Sequence, residues 1–177
     1  SKLELQAWRS ATRYIALRLW SNPNVNKIPK WSTKAAHDID DWCSLDVFKW
    51  GQKYYLLYLN TFSKFTEILE VDREMTSEEF IEHLKQLDRH SLLTKNVMTD
   101  AGPQMTSLKS NKWLRDENRR HWVSAGAAHW SNGRAERRIR TIKETANRLK
   151  HLINFRKIPT PKEEHRILQQ VADILND

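Results

Sequence analysis

Trp42-Cys43-Ser44-Leu45-Asp46-Val47-Phe48-Lys49-Trp50-Gly51-Gln52-Lys53-Tyr54-Tyr55-Leu56-Leu57-Tyr58-Leu59-Asn60 is the stretch from which the fold is read. Two runs rich in aromatic and apolar residues flank Gly51-Gln52, a turn-sized gap, so Cys43–Phe48 and Lys53–Asn60 read as strands. Phe65–Val71 repeats the pattern, and three consecutive antiparallel strands are the simplest arrangement. Asp46 falls within the first of them, where an ionised side chain packs poorly.

Outward from this core the period changes. Thr76 followed by Glu79 is a helix start, and Phe80, Ile81, Leu84 and Leu87 give that helix an apolar side. Asn96–Thr99 reads as a fourth strand with Asp100 at its end, Leu108–Arg120 as a short helix and His121–Ser124 as a fifth strand. A loop over Ala125–Gly133 leads into a long helix from near Arg134. Its apolar positions are Ala135, Ile139, Ile142, Ala146, Leu149 and Ile153. Pro159 and Pro161 precede a last helix, Lys162–Leu175. On the other side, residues 2–20 carry Leu5, Trp8, Ile15 and Leu19 near one stripe and read as an amphipathic helix. That helix stops at Ser21-Asn22-Pro23-Asn24, and a loop follows to Asp41. The order predicts an α/β domain with one sheet covered by helices.

The chain has 177 residues, enough for one domain with a real core. One cysteine, Cys43, excludes an internal disulfide framework and a CxxC metal knuckle, and it reads as a buried strand residue. No apolar run is long enough to cross a bilayer and no signal-peptide pattern is present, so no membrane association is expected. The net charge of +8 is localised. Residues 112–157 hold thirteen Lys or Arg against four Asp or Glu, whereas the remainder holds seventeen against eighteen. A local surplus of this kind suits a polyanion, nucleic acid before an anionic membrane.

Three carboxylates stand at chemically suggestive places: Asp46 inside a strand, Asp100 where a strand meets Ala101-Gly102-Pro103, and Glu136 in the first turn of the long helix. Taken singly, each has an ordinary explanation as an exposed strand acid, a turn acid and a helix-dipole partner. Together, beside a basic surface, they are what a phosphodiester-cutting enzyme using hard divalent cations requires. Spacing alone leaves their convergence open. Glu136, Arg140, Lys143, Asn147 and Lys150 recur at steps of four, three, four and three, which puts them on one face of the long helix. The apolar set is expected on the opposite side.

Three blocks carry a family resemblance. Trp42 to Phe65 resembles the opening strands of retroviral and retrotransposon integrase cores, within the wider DDE integrase and transposase superfamily. Thr99-Asp100-Ala101-Gly102-Pro103-Gln104 is similar to their second-aspartate motif, and Ser131-Asn132-Gly133-Arg134-Ala135-Glu136-Arg137 to their glutamate motif. Thirty-five residues separate Asp100 from Glu136, the interval of that signature. The resemblance implies an RNase H-like fold, a mixed five-stranded sheet flanked by helices. It implies that Asp46, Asp100 and Glu136 are catalytic and metal-binding residues holding two Mg²⁺ ions, with Mn²⁺ as a substitute. It further implies polynucleotidyl transfer, 3′-end processing and DNA strand transfer on double-stranded DNA, for a mobile element or a gene derived from one.

By the same resemblance Ser131 and Asn132 contact DNA from a substrate loop, while Arg140, Lys143, Asn147 and Lys150 meet flanking phosphates. The working form would be a homodimer or higher assembly, placed in the nucleus or in an element-encoded nucleoprotein particle. Residues 1–36 lack both His and Cys, so they are expected to form a helix and surface loop without a zinc module. Residues 37–177 are expected to form the catalytic core with C-terminal helices, as a core fragment or a shortened relative. Ala101 stands where relatives commonly carry Asn, and Ala125-Gly126-Ala127-Ala128-His129-Trp130 departs from the usual Pro- and Gln-containing loop. Two other classes compete: a catalytically inactive DNA-binding or assembly domain that keeps the fold, and an RNase H-type nuclease acting on RNA–DNA hybrids.

Overall fold

The computed structural model describes residues 36–124, 133–152 and 160–177. The helix expected over residues 2–20, the loop after it as far as residue 35, the loop holding His129, Ser131 and Asn132, and Ile153 lie outside the described residues. Strand β1 (Trp42–Trp50) turns at Gly51-Gln52 into β2 (Lys53–Asn60), and β3 (Thr66–Val71) follows. The β1–β2 pairing is antiparallel from Cys43↔Asn60 to Trp50↔Lys53, leaving a two-residue turn. Gly51 has φ +59, as the first position of such a turn requires, and a β-carbon there would overlap the Glu164 carboxylate.

Helix α1 (Ser77–Arg89) starts with the expected capping box, Thr76 and Glu79 each satisfying the other's backbone N–H. Then come β4 (Asn96–Thr99), the short α2 (Pro103–Thr106), α3 (Leu108–Asp116), β5 (Arg120–Val123), α4 (Gly133–Leu152) and α5 (Pro161–Asn176). The sheet order is β3-β2-β1-β4-β5, with β4 parallel to β1 and β5 parallel to β4. The fold is the expected mixed five-stranded sheet flanked by helices.

Two details differ from the sequence reading. Pro103 opens a separate helical turn, because proline suits a first helical position and Gly102 leads into it. The next helix also ends at Asp116, short of the expected Arg120. Asn118 adopts φ +56, and the N–H groups of Asn118 and Arg119 close back on Arg115 O (3.0 Å) and Leu114 O (2.7 Å). That is a Schellman stop, which frees Arg120 to begin β5.

Strand alternation divides the core in two. Cys43, Leu45, Leu56, Tyr58 and Val97 face α1, α2 and α3, where Phe80, Leu84, Leu87, Met105 and Leu114 meet them. Phe48, Trp50, Tyr55, Leu57 and Ile68 face α4 and α5, against Ala135, Ile139, Ile142, Ala146, Ile167 and Val171. Cys43 is a free, fully buried thiol, as expected, and burial pushes its pKa up. No helix among the described residues is long and apolar enough to cross a membrane.

Candidate active site

Alternation and register bring the first two carboxylates together. Asp46 shares a face of β1 with Phe48 and Trp50, the face covered by α4. The parallel pairing of β1 with β4 runs Trp42↔Asn96, Cys43↔Val97, Ser44↔Met98. Two further steps set Asp46 beside Asp100, and the two-residue period turns both to the same side.

Electrostatics agree. Burial first, and next the Asp100 carboxylate, push Asp46 from an ordinary 3.8 up to about 7. Glu136 adds to the rise, while the Val47 backbone N–H and the Lys143 ammonium oppose it. Residues separated by tens of positions in the chain therefore act on one carboxyl group. Among the described residues, no three His, Cys, Asp or Glu side chains close into a ready-made metal cage. The donor set nevertheless suits a hard cation: the groups gathered are oxygen donors that repel one another, and a divalent ion would remove that repulsion.

Asp100 is held from two directions. Its Oδ1 accepts the Gly102 N–H at 3.1 Å, fixing the turn after β4. Behind the strand, on the α3 side, Thr99 Oγ1 lies 2.9 Å from Asp100 O and 2.8 Å from His121 Nε2. His121 Nδ1 lies 2.5 Å from Asn111 Oδ1. Asn111 Nδ2 donates to Thr106 O at 2.8 Å, which turns Oδ1 toward the ring and makes Nδ1 the protonated nitrogen. Burial lowers the His121 pKa. Sequence reading missed this chain. Its members sit on β4, β5 and α3, and only the parallel β4–β5 register aligns them.

Helix α4 brings Glu136 in its first turn and Lys143 two turns later to the Asp46 side. Lys143 Nζ stands 5.7 Å from the Phe48 ring centroid. Asn147 Oδ1 accepts the Trp50 indole N–H at 3.0 Å, so this side chain also anchors α4 to β1. Arg140 is exposed and Lys150 half-buried on the same face. The apolar stripe expected opposite this face lies beside it instead. Ala135 is only about 100° from Glu136 around the helix, so burying it brings Glu136 to the edge of the sheet.

This architecture defines the chain as having the fold of a retroviral integrase catalytic core. It is similar to a chain of the simian T-cell lymphotropic virus intasome in complex with PP2A regulatory subunit B56 gamma, with TM-score 0.65 and 22% identity. That match covers 84% of this chain but 54% of the other, so the chain spans about half of that protein's length. It is also similar to the BIV integrase catalytic core domain, with TM-score 0.60 and 16% identity over 75% of this chain and 81% of that one. The HTLV-2 integrase catalytic core domain in complex with magnesium, in trimeric form, gives TM-score 0.56 and 20% identity over 75% and 82%. No protein-family model and no curated protein sequence matches the chain.

Proposed function

We propose that this chain is the catalytic core of a DNA integrase or transposase, a polynucleotidyl transferase dependent on Mg²⁺, with Mn²⁺ able to substitute. The observation that carries the reading is the parallel β1–β4 register, which sets Asp46 beside Asp100, with the charges of Glu136 and Lys143 on α4 also felt at Asp46. The neighbouring fold supports it, and the HTLV-2 core is described with magnesium.

In this reading Asp46, Asp100 and Glu136 hold the cations by their carboxylates. Two bound ions would supply Lewis acidity at the scissile phosphate and lower the pKa of the attacking water or 3′-hydroxyl. The chain's own part is to keep the carboxylates aligned and to receive the DNA backbone. The Gly102 N–H fixes Asp100, and β1 carries Asp46 on a rigid strand. Lys143 and Arg140, with Lys150 further along, would meet the phosphates flanking the reacting one. Ser131 and Asn132 are assigned to DNA contact by their motif alone.

Joining two DNA ends calls for more than one active site, and cores with this fold are described in dimeric and trimeric forms. We therefore assign a homodimer or larger assembly, acting in the nucleus or in a nucleoprotein particle. Calorimetric titration with Mn²⁺ or Mg²⁺ tests the reading on the native chain and on Asp46→Asn, Asp100→Asn and Glu136→Gln. Each Asp variant should bind metal more weakly, and the native chain should act on a branched DNA substrate. Equal metal binding by native and variant chains would mean that the carboxylates do not work together, leaving a DNA-binding domain that keeps the fold.

A further inference from the structure

Helix α4 carries a second set of cations that face away from the carboxylates. Arg134 and Arg138 lie roughly 160–200° around the helix from Glu136, across the buried stripe. The Arg138 guanidinium donates to Lys64 O, which shows where this flank points: at the turn between β2 and β3. Burial, followed by the charges of Arg134, Arg138 and Arg137, lowers the Lys64 pKa, in keeping with the Arg138 contact at the same turn. Among the described residues none of the four has an acidic partner. Gathered like charges of this kind cost folding free energy, and a polyanion bound across them offsets that cost.

The turn itself is tied by hydrogen bonds. Asn60 Oδ1 accepts the N–H groups of Phe62 and Ser63, both at 3.0 Å, and Lys64 N donates to Asn60 O at 3.0 Å. Thr61 Oγ1 donates to Trp42 O at 3.0 Å. On this frame Phe62 is 52% exposed, an aromatic ring presented to solvent. Cations for phosphates and an isolated exposed ring are the two parts of a surface for unpaired nucleic acid.

We infer that the β2–β3 turn and the Arg134–Arg138 flank of α4 form a second DNA-binding surface, which takes an unpaired stretch of the DNA with its phosphates on Lys64, Arg134 and Arg137 and a base on Phe62. The partner's identity rests on the DNA reading above, but binding here needs no metal, so the two stand or fall by different measurements.

Fluorescence anisotropy in EDTA would compare a labelled blunt duplex with the same duplex carrying a short single-stranded extension. Phe62→Ala should weaken binding of the extended duplex roughly five-fold or more, with a smaller change on the blunt one. Lys64→Gln with Arg137→Gln should flatten the dependence of log K on log salt by about 0.7 for each phosphate that is no longer neutralised. Thermal melts would confirm that the variants stay folded. Unchanged affinity and salt slope in both variants overturns the inference, and so does equal binding of a poly-glutamate peptide by the native chain. Asp46→Asn should leave this binding intact while losing Mn²⁺. Loss of the metal response alone would thus remove the catalytic reading and spare this surface, and the converse holds.

Discussion

The two faces of the sheet are finished differently. On one, α1, α2 and α3 close over odd-numbered β1 residues and cover β4 as well, through Val97. On the other, among the described residues, α4 packs on β1 and β2 and α5 on β3. Among the described residues, Asp46, Asp100 and a pair of tryptophans, Trp42 and Trp122, with ring centroids 5.5 Å apart, lie on this face over β1 and β4. A closed face supplies stability. The other face gathers Asp46 with acidic neighbours at a position where burial and their charges raise its pKa to about 7, so a cation arriving there would relieve the repulsion and displace the proton it holds.

Neighbouring residues on opposite faces test this contrast most strongly. Leu45 is fully buried on the closed face. Leu45→Ala should cost about 2–5 kcal/mol in urea unfolding, since the surrounding core cannot collapse into the space. A cost below about 1 kcal/mol would mean the closed face is loosely packed.

One residue on, the sign reverses. Asp46 keeps a proton in the folded state up to about pH 7, whereas the unfolded chain releases it near its ordinary 3.8. The folded state therefore binds more protons between about pH 4 and 7, and this group's contribution to stability falls as pH rises through that window. Asp46→Asn should be neutral below about pH 4 and stabilising by about 1–3 kcal/mol at pH 8, after allowing for the part of the group that water still reaches. Urea melts at pH 4 and pH 8 without metal give the difference directly. A variant that is destabilised at pH 8 would contradict the strained-carboxylate account.

The contrast also explains which features could be read from sequence. Strands β1, β2 and β3 are visible because local alternation and Gly51-Gln52 carry the signal within about thirty residues. Asp46 stands out because a strand interior rarely accepts a charge. Asp100 and Glu136 are readable only through their motifs, since nothing local states that β4 lies parallel to β1. Contacts that join distant elements have no local mark at all. Gln52 donates its N–H to Glu164 Oε2 at 3.1 Å, tying the hairpin to α5 across 112 positions. His121 reads as an ordinary strand residue until β5 takes its place beside β4. The end of α3 escapes a reading of periodicity because Asn118 enters the left-handed region only as part of a capped stop.

The hydrogen-bonded chain on the closed face couples the two sides. His121→Ala would leave Asn111 Oδ1 without the ring N–H and loosen Thr99 behind Asp100. It should cost about 1–2 kcal/mol in stability and lower Mn²⁺ affinity by about ten-fold or more, as loss of a group that orients a ligand does. Calorimetry at a temperature where the variant is fully folded separates the effects. A stability loss with unchanged Mn²⁺ affinity would confine His121 to the closed core.

Lys143 should have the smallest effect on stability and the clearest one on charge. Its ammonium sits over Phe48 on the carboxylate face, and that aromatic contact is worth about 0.5–1 kcal/mol at most in an exposed setting. Lys143→Met keeps much of the side-chain stem against the ring, so urea melts should move little. The same substitution removes a cation that holds the Asp46 pKa down against burial and two neighbouring acids. The Asp46 carboxyl, followed by carbon-13 NMR in the metal-free chain, should then titrate at higher pH than in the native chain. A midpoint that stays where it was would place the Lys143 charge away from the carboxylates, and the carboxylate face would lose its link to the basic side of α4.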